Sequence, residues 1–178
     1  MKKIIVVSLI AIIALLALAA CGTKPAEAPA AAELPNPWSD YETAAAAAQN
    51  AGVDELALPE NGVETPTGGR VDWIGYRAMK GLAEADGYVG SAELTARKGL
   101  KESGADLSGD YNRYAFTWTQ QVDGMTVTSS GNEEGRAMKA VWQDGAYSYS
   151  LTVRGQGDIH DTYGVDAETL AFLVRNVK

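Results

Sequence analysis

Oxygen-bearing side chains alternate along one short stretch, Asp106-Leu107-Ser108-Gly109-Asp110-Tyr111-Asn112. A hard cation such as Ca²⁺ is held by side-chain oxygens of this kind, offered from a loop that contains glycine. The spacing is not that of an EF-hand, because the glycine stands fourth rather than sixth and no Glu follows at the twelfth position. Asp, Ser and Asn side chains also accept hydrogen bonds from backbone N–H groups two residues on, which shapes a turn without any ligand. That is the expected role here. No metal is expected, and a weak Ca²⁺ site of Asp106, Ser108, Asp110 and Asn112 is the alternative.

Cations lie nearby in the chain. Arg97, Lys98 and Lys101 offer charge-assisted donors for a carboxylate or a sugar acid, although acids such as Glu102 could pair them instead. Arg97, Lys98, Asp106, Asp110, Tyr111 and Asn112 are therefore the candidate ligand-binding set. His160 is the only histidine. In Asp158-Ile159-His160-Asp161 it could hold a metal or act as a general base, but a loop histidine beside acids fits the same letters with no role. The tryptophans and tyrosines could form a platform for a glycan or peptide; Trp118 and Trp142 are expected in the core. The chain has no Gly-X-Ser-X-Gly, no His-Glu-X-X-His and no phosphate-cradling glycine loop. No catalytic residue and no cofactor are expected.

One further residue carries specific chemistry. Cys21 is the only cysteine, so no intrachain disulfide or Cys-X-X-Cys pair can form. It ends Leu18-Ala19-Ala20-Cys21, a lipobox pattern, after a basic Met1-Lys2-Lys3 and an apolar run from Ile4 to Ala20 broken only by Ser8. As a helix that run would reach about 25 Å, short of a hydrocarbon core of about 30 Å. Residues 1–20 are thus expected to be a lipoprotein signal peptide. Cys21 is expected to carry acyl chains such as palmitate, and two or three of them hold a protein stably on a membrane. Residues 21–37 then read as the lipidated cysteine and an Ala/Pro-rich tether, which in extended form would reach about 50 Å. The expected location is the cell membrane, lipid-anchored and facing outside the cytoplasm.

Removing Met1–Ala20 takes Lys2 and Lys3 from the 15 Lys+Arg, leaving 13 against 23 Asp+Glu and a net charge near −10. Such a surface argues against nucleic acid as a partner. It also repels anionic lipid, so membrane attachment has to come from the anchor.

Residues 38–178 must position the candidate set, and they read as one α+β domain. The expected architecture is an antiparallel, hairpin-rich curved sheet with an N-terminal and a C-terminal helix packing on it. Trp38 to Gly52 is expected to be helical, capped by Ser39 or Thr43 and stopped by Gly52. Asp166 is expected to cap a last helix whose Leu170, Leu173, Val174 and Val177 make one apolar stripe. Between them, Asp86-Gly87, Asp123-Gly124 and Asp144-Gly145 suggest type I′ hairpin turns. Two-residue closure pairs Val122 with Met125 and Trp118 with Ser129 around the second. Around the third it pairs Trp142 with Tyr147 and Ala140 with Tyr149. Tyr114, Phe116 and Trp118 should share one face of a strand. Val71 to Ala78, Leu82 to Ala85 and Tyr88 to Arg97 are expected strands, although Tyr76 to Glu84 could also form a helix.

Several stretches together resemble a family of small lipoproteins of Gram-positive bacteria whose function is unassigned. They are Asn36-Pro37-Trp38 with Tyr41, Arg97-Lys98-Gly99, the Asp106–Asn112 string with Tyr114, and Trp142 with Tyr147-Ser148-Tyr149-Ser150. The resemblance implies an extracytoplasmic α+β domain and gives no reaction, ligand or partner. The expectation is a non-enzymatic binding or interaction module at the cell envelope, contacting another envelope protein or a small ligand. An envelope hydrolase using carboxylates such as Asp106 and Asp110 is the competing reading.

Overall fold

Strands dominate because alternation of apolar and polar residues recurs from Arg70 to Arg154. The computed structural model describes residues 35–101, 106–155 and 164–178. Its elements in order are β1 (Ser39–Tyr41), α1 (Ala44–Ala51), β2 (Val63–Glu64), β3 (Arg70–Met79), β4 (Leu82–Val89), β5 (Ala92–Leu100), β6 (Phe116–Val122), β7 (Met125–Gly131), β8 (Lys139–Asp144), β9 (Tyr147–Arg154) and α2 (Ala167–Asn176). The fold is α+β: an open antiparallel sheet with two helices. Its strand order is β1-β3-β4-β5-β9-β8-β7-β6, with β2 also on β3. Two meanders, β3-β4-β5 and β6-β7-β8-β9, meet where β5 pairs with β9. The outer side of β3 is shared. β2 pairs with its start and β1 with its end, and between them the Asn61 amide stands in for a strand. Its Oδ1 accepts from the Trp73 N–H at 2.6 Å and its Nδ2 donates to the Trp73 carbonyl at 3.3 Å.

One face of the sheet is apolar. Val71, Ala83, Ala85, Leu94, Ala96, Val127, Ala140, Trp142, Leu151 and Val153 are buried there with Ala47, Ala48 and Ala51 of α1 and with Leu170, Leu173, Val174 and Val177 of α2 or just beyond it. The alanines of α1 and of β4 are small enough for helix and sheet to approach closely. Trp142 stacks on Tyr149 with centroids 5.3 Å apart. Asp166 caps α2 by accepting from Thr169 N–H at 2.8 Å, and Ala57 and Lys178 exchange backbone hydrogen bonds that tie the C-terminus to the segment after α1.

Several local expectations need correction. Residues 38–52 do not form one helix. Ser39 pairs with Ala78 in the sheet, and α1 starts only after Thr43, whose hydroxyl accepts from Ala46 N–H. The expected stop at Gly52 is present, with φ 76°. Tyr76 to Glu84 is strand, turn and strand. Asp86-Gly87 lies inside β4, and the turns fall at Lys80-Gly81 and Gly90-Ser91 instead. Gly87 serves clearance: a Cβ there would collide with the Asp72 carbonyl and press on Trp73, at the bulge that leaves Ile74 66% exposed. Asp123-Gly124 has positive φ at both residues, 47° and 86°, and the expected register. The next hairpin turns at Gly145-Ala146, so Trp142 pairs with Tyr149 and Ala140 with Leu151. That slip by two residues keeps every side chain on its expected face. Finally, Tyr114 precedes β6 and sits on the opposite face from Trp118. The leader, Cys21, most of the tether, Glu102, Asp158, His160 and Asp161 lie outside the described residues.

Candidate functional site

The face of the sheet opposite the helices is polar, and its charges are aligned by register. Arg77 of β3 pairs with Glu84 of β4, and Glu84 with Arg97 of β5, so three side chains stand in one row. Glu84 is fully buried. Its Oε1 accepts from Arg77 Nε and its Oε2 from Arg97 Nε. A buried carboxylate is costly unless paired in this way. Trp38 lies over the row, its ring centroid 5.0 Å from the Arg77 guanidinium carbon and 5.6 Å from that of Arg97. Trp38 falls on this side because it precedes β1 in the same alternation as Asp40, which pairs with Arg77. Burial works against the Arg77 charge, but Glu84, Asp86 and Asp40 more than offset it and raise the Arg77 pKa.

Residues 106–115, ahead of β6, lie on this face. Their even-numbered members build a ladder back onto the chain. Asp106 Oδ1 accepts from Ser108 N–H at 2.9 Å, Ser108 Oγ from Asp110 N–H at 3.1 Å, and Asp110 Oδ1 from Asn112 N–H at 3.0 Å. Sheet residues clamp the ladder. Lys139 donates to Asp106 Oδ2 at 3.1 Å and to the Asp110 carbonyl at 3.3 Å. Asp110 Oδ2 takes the Tyr114 hydroxyl and an Arg154 guanidinium nitrogen at 3.3 Å. Burial pushes the Asp110 carboxyl up, but Tyr114, the Asn112 amide and Arg154 outweigh it and leave it below its usual range. Asp106 behaves likewise through Ser108 and Lys139. The Tyr114 phenol is pushed well up, first by burial and then by Asp110.

The odd-numbered residues do something else. Leu107 is buried and its carbonyl accepts from Arg97 Nη1 at 2.9 Å. Gly109, with φ 62°, lies against the Arg97 guanidinium, where a Cβ would collide. Tyr111 is 95% exposed. All three line a cleft of about 380 Å³ together with Trp38, Lys80, Leu82, Arg97 and Asp106.

Of the candidate set, Arg97, Asp106 and Tyr111 therefore meet at one cleft. Asp110 lies buried beneath them and Asn112 closes the ladder. Lys98 does not join them. Adjacent strand residues point to opposite faces, and Lys98 is buried on the helix side, 2.8 Å from Asp54 Oδ1 and 2.5 Å from the Glu55 carbonyl. It also sits 4.4 Å from the Tyr147 ring centroid. Its hydrogen bond, with other contacts, lowers the Asp54 pKa. Lys101 is exposed beyond β5. Trp38, Arg77, Glu84, Lys139 and Arg154 join the site without belonging to the candidate set. The Lys80-Gly81 turn, once recognised, aligns Arg77 with Glu84 by counting alone.

Asp106 and Asp110 are both held below the usual carboxylate range, whereas a general acid needs a raised pKa. Each Asp106 oxygen accepts from one protein donor, and Asp110 is closed off by the Asn112 amide, Tyr114 and Arg154. Among the described residues, no three His, Cys, Asp or Glu side chains gather as a metal site, and no helix is long and apolar enough to cross a membrane. Compared with known families, curated proteins and solved structures, the chain matches none of them.

Proposed function

We propose that this chain is a lipid-anchored extracytoplasmic lipoprotein whose domain binds a ligand in the cleft between Trp38 and Tyr111. One observation carries the binding half of the proposal. The ladder, Lys139, Arg154 and Tyr114 fix the backbone on both sides of Tyr111, yet that large aromatic side chain is left 95% in solvent. Turn formation explains Asp106, Ser108, Asp110 and Asn112. It gives no reason to hold a tyrosine outward beside a cleft. A backbone fixed in advance limits the entropy lost on association to that of the side chain itself.

The anchoring half rests on the leader and on Cys21. Wild-type protein expressed in a bacterial host is expected to incorporate labelled palmitate and to lose residues 1–20, whereas Cys21→Ser remains an unprocessed precursor. Equal processing of the two proteins would exclude lipidation at Cys21.

A further inference from the structure

The lining of the cleft narrows what it holds. Trp38 and Tyr111 offer aromatic surface and Leu107 an apolar wall. Arg97 spends Nε on Glu84 and Nη1 on the Leu107 carbonyl, and its Nη2 has no partner among the described residues. Lys80 is exposed at the β3–β4 turn and has no ion-pair partner among the described residues. Asp106 supplies carboxylate oxygens, each with a lone pair beyond the one already used. The cleft thus combines flat apolar surface with donors and acceptors side by side.

The charges cancel only in part: Lys80, Arg77 and Arg97 face Glu84 and Asp106, which leaves one net positive charge, and Asp106 is itself paired with Lys139. Glu84 neutralises one of the two arginines above it, and Asp106 sits in the lining itself. A carboxylate or sugar acid, expected from Arg97, Lys98 and Lys101 in the sequence, would meet Asp106 without Lys98. Among the described residues, an anionic ligand would find Lys80 and one free Arg97 nitrogen rather than the three clustered cations that the sequence suggests, and would lie beside the Asp106 carboxylate.

Resting on the binding reading above, we propose that the cleft takes a neutral saccharide, one whose ring hydroxyls are mainly equatorial. Such a ring has an apolar C–H face that stacks on an aromatic side chain, and a rim of hydroxyls that both donate and accept. Trp38 and Tyr111 take the face. Arg97 and Lys80 donate to the rim, and Asp106 accepts from it. The volume of about 380 Å³ lies within the ordinary range for small-molecule sites, about 300–1,000 Å³. An extended peptide also stacks on aromatic residues, but it brings a row of backbone donors and acceptors, and the lining offers them no strand edge.

The test is calorimetric titration of the full-length chain, kept in a detergent without sugar head groups. The probes are cellotetraose, the β-1,4-linked N-acetylglucosamine tetramer, a galacturonic acid tetramer and a randomised octapeptide library. At least one neutral tetramer is expected to bind saturably, with little dependence on salt, and more tightly than the acidic one. Tyr111→Ala is expected to weaken that binding about tenfold or more without changing the melting temperature, since the side chain is exposed. Asp106→Asn, which keeps an oxygen for the Ser108 amide, is expected to weaken it less. If only the acidic tetramer binds, or Tyr111→Ala binds the neutral tetramers as well as wild type, the saccharide proposal falls. If only peptides bind and the binding needs Tyr111, the cleft stands and the saccharide is wrong. If none of the four probes binds, the saccharide proposal falls, and the binding reading is left to a ligand of another class.

Discussion

The two faces of the sheet are closed by opposite means. Under the helices, Val71, Leu94, Leu151, Val153, Leu170 and Leu173 are buried against one another, and apolar contact is non-directional. Across the sheet, Glu84, Ser108, Asp110, Ser148, Ser150 and Thr152 are equally buried, and Glu84 and Asp110 are closed off by hydrogen bonds and ion pairs that work only in one arrangement. Apolar contacts of this kind set no single geometry for each pair. The polar face does. It fixes Trp38 and the Asp106–Asn112 segment to positions that fat alone would leave loose, and the cleft is formed by just those pieces.

The largest test of this contrast is Glu84→Ala. Removing the carboxylate leaves two guanidinium groups facing each other, one of them mostly buried, and breaking such a buried pair typically costs about 3–5 kcal/mol. Urea denaturation should show a loss of that order. Replacing the whole row, Arg77→Met with Glu84→Leu and Arg97→Met, should recover most of the stability, because apolar groups need no partners. The same triple variant should lose ligand binding, since it removes the support of Trp38 and the Arg97 contact to the Leu107 carbonyl. A triple variant as unstable as Glu84→Ala would show that the row is needed for folding and not only for placing the site.

How far each face can be read from the sequence follows from the same difference. The stripe of Leu170, Leu173, Val174 and Val177 is legible because helical burial repeats with a fixed period. The Asp123-Gly124 hairpin is legible because its dipeptide and the alternation on both sides agree. Gly87 misleads, because a glycine needed to clear Trp73 and one needed for a turn are the same letter. The Asp106–Asn112 ladder is readable as a turn since its bonds are local. Lys139, Arg154 and Trp38 reach it only through strand pairing between distant segments, and no local pattern announces that. Lys98 shows the reverse case: alternation alone separates it from Arg97, once β5 is recognised as strand.

Asp110→Asn should have a smaller effect, about 1–3 kcal/mol, because the amide keeps an oxygen for Asn112 but loses charge toward Arg154 and the Tyr114 hydroxyl. The pH dependence gives the sign. The folded Asp110 pKa lies below its ordinary value, near 3.9 in an unfolded chain. The carboxylate therefore contributes its full stability above that value, and the contribution is lost as pH falls through the lower folded value. Acid titration of the melting temperature should fall less steeply below about pH 4 in Asp110→Asn than in wild type. Asp106 and Asp166 are shifted in the same direction, so the slope should shrink without vanishing. An unchanged slope would mean that Asp110 contributes no charge-dependent stability and that the clamp on the ladder lies elsewhere.

The smallest expected effect is none, and it separates the turn from the cation site that the same four residues suggest. A bound Ca²⁺ needs several oxygens free to converge. Here Asp106 and Asp110 direct all four carboxylate oxygens at the Ser108 and Asn112 amides, Lys139, Tyr114 and Arg154. Ser108 Oγ is taken by the Asp110 amide. A cation would have to displace Lys139 or Arg154 and break the ladder that gathers the oxygens. Added Ca²⁺ should leave the melting temperature unchanged, apart from the general effect that Mg²⁺ at equal ionic strength also produces. A real site at a hundredfold excess over its Kd would add about 2.7 kcal/mol. A Ca²⁺-specific rise that disappears in Asp110→Asn would overturn the turn-only role, and it would mean that the loop reorganises to bind.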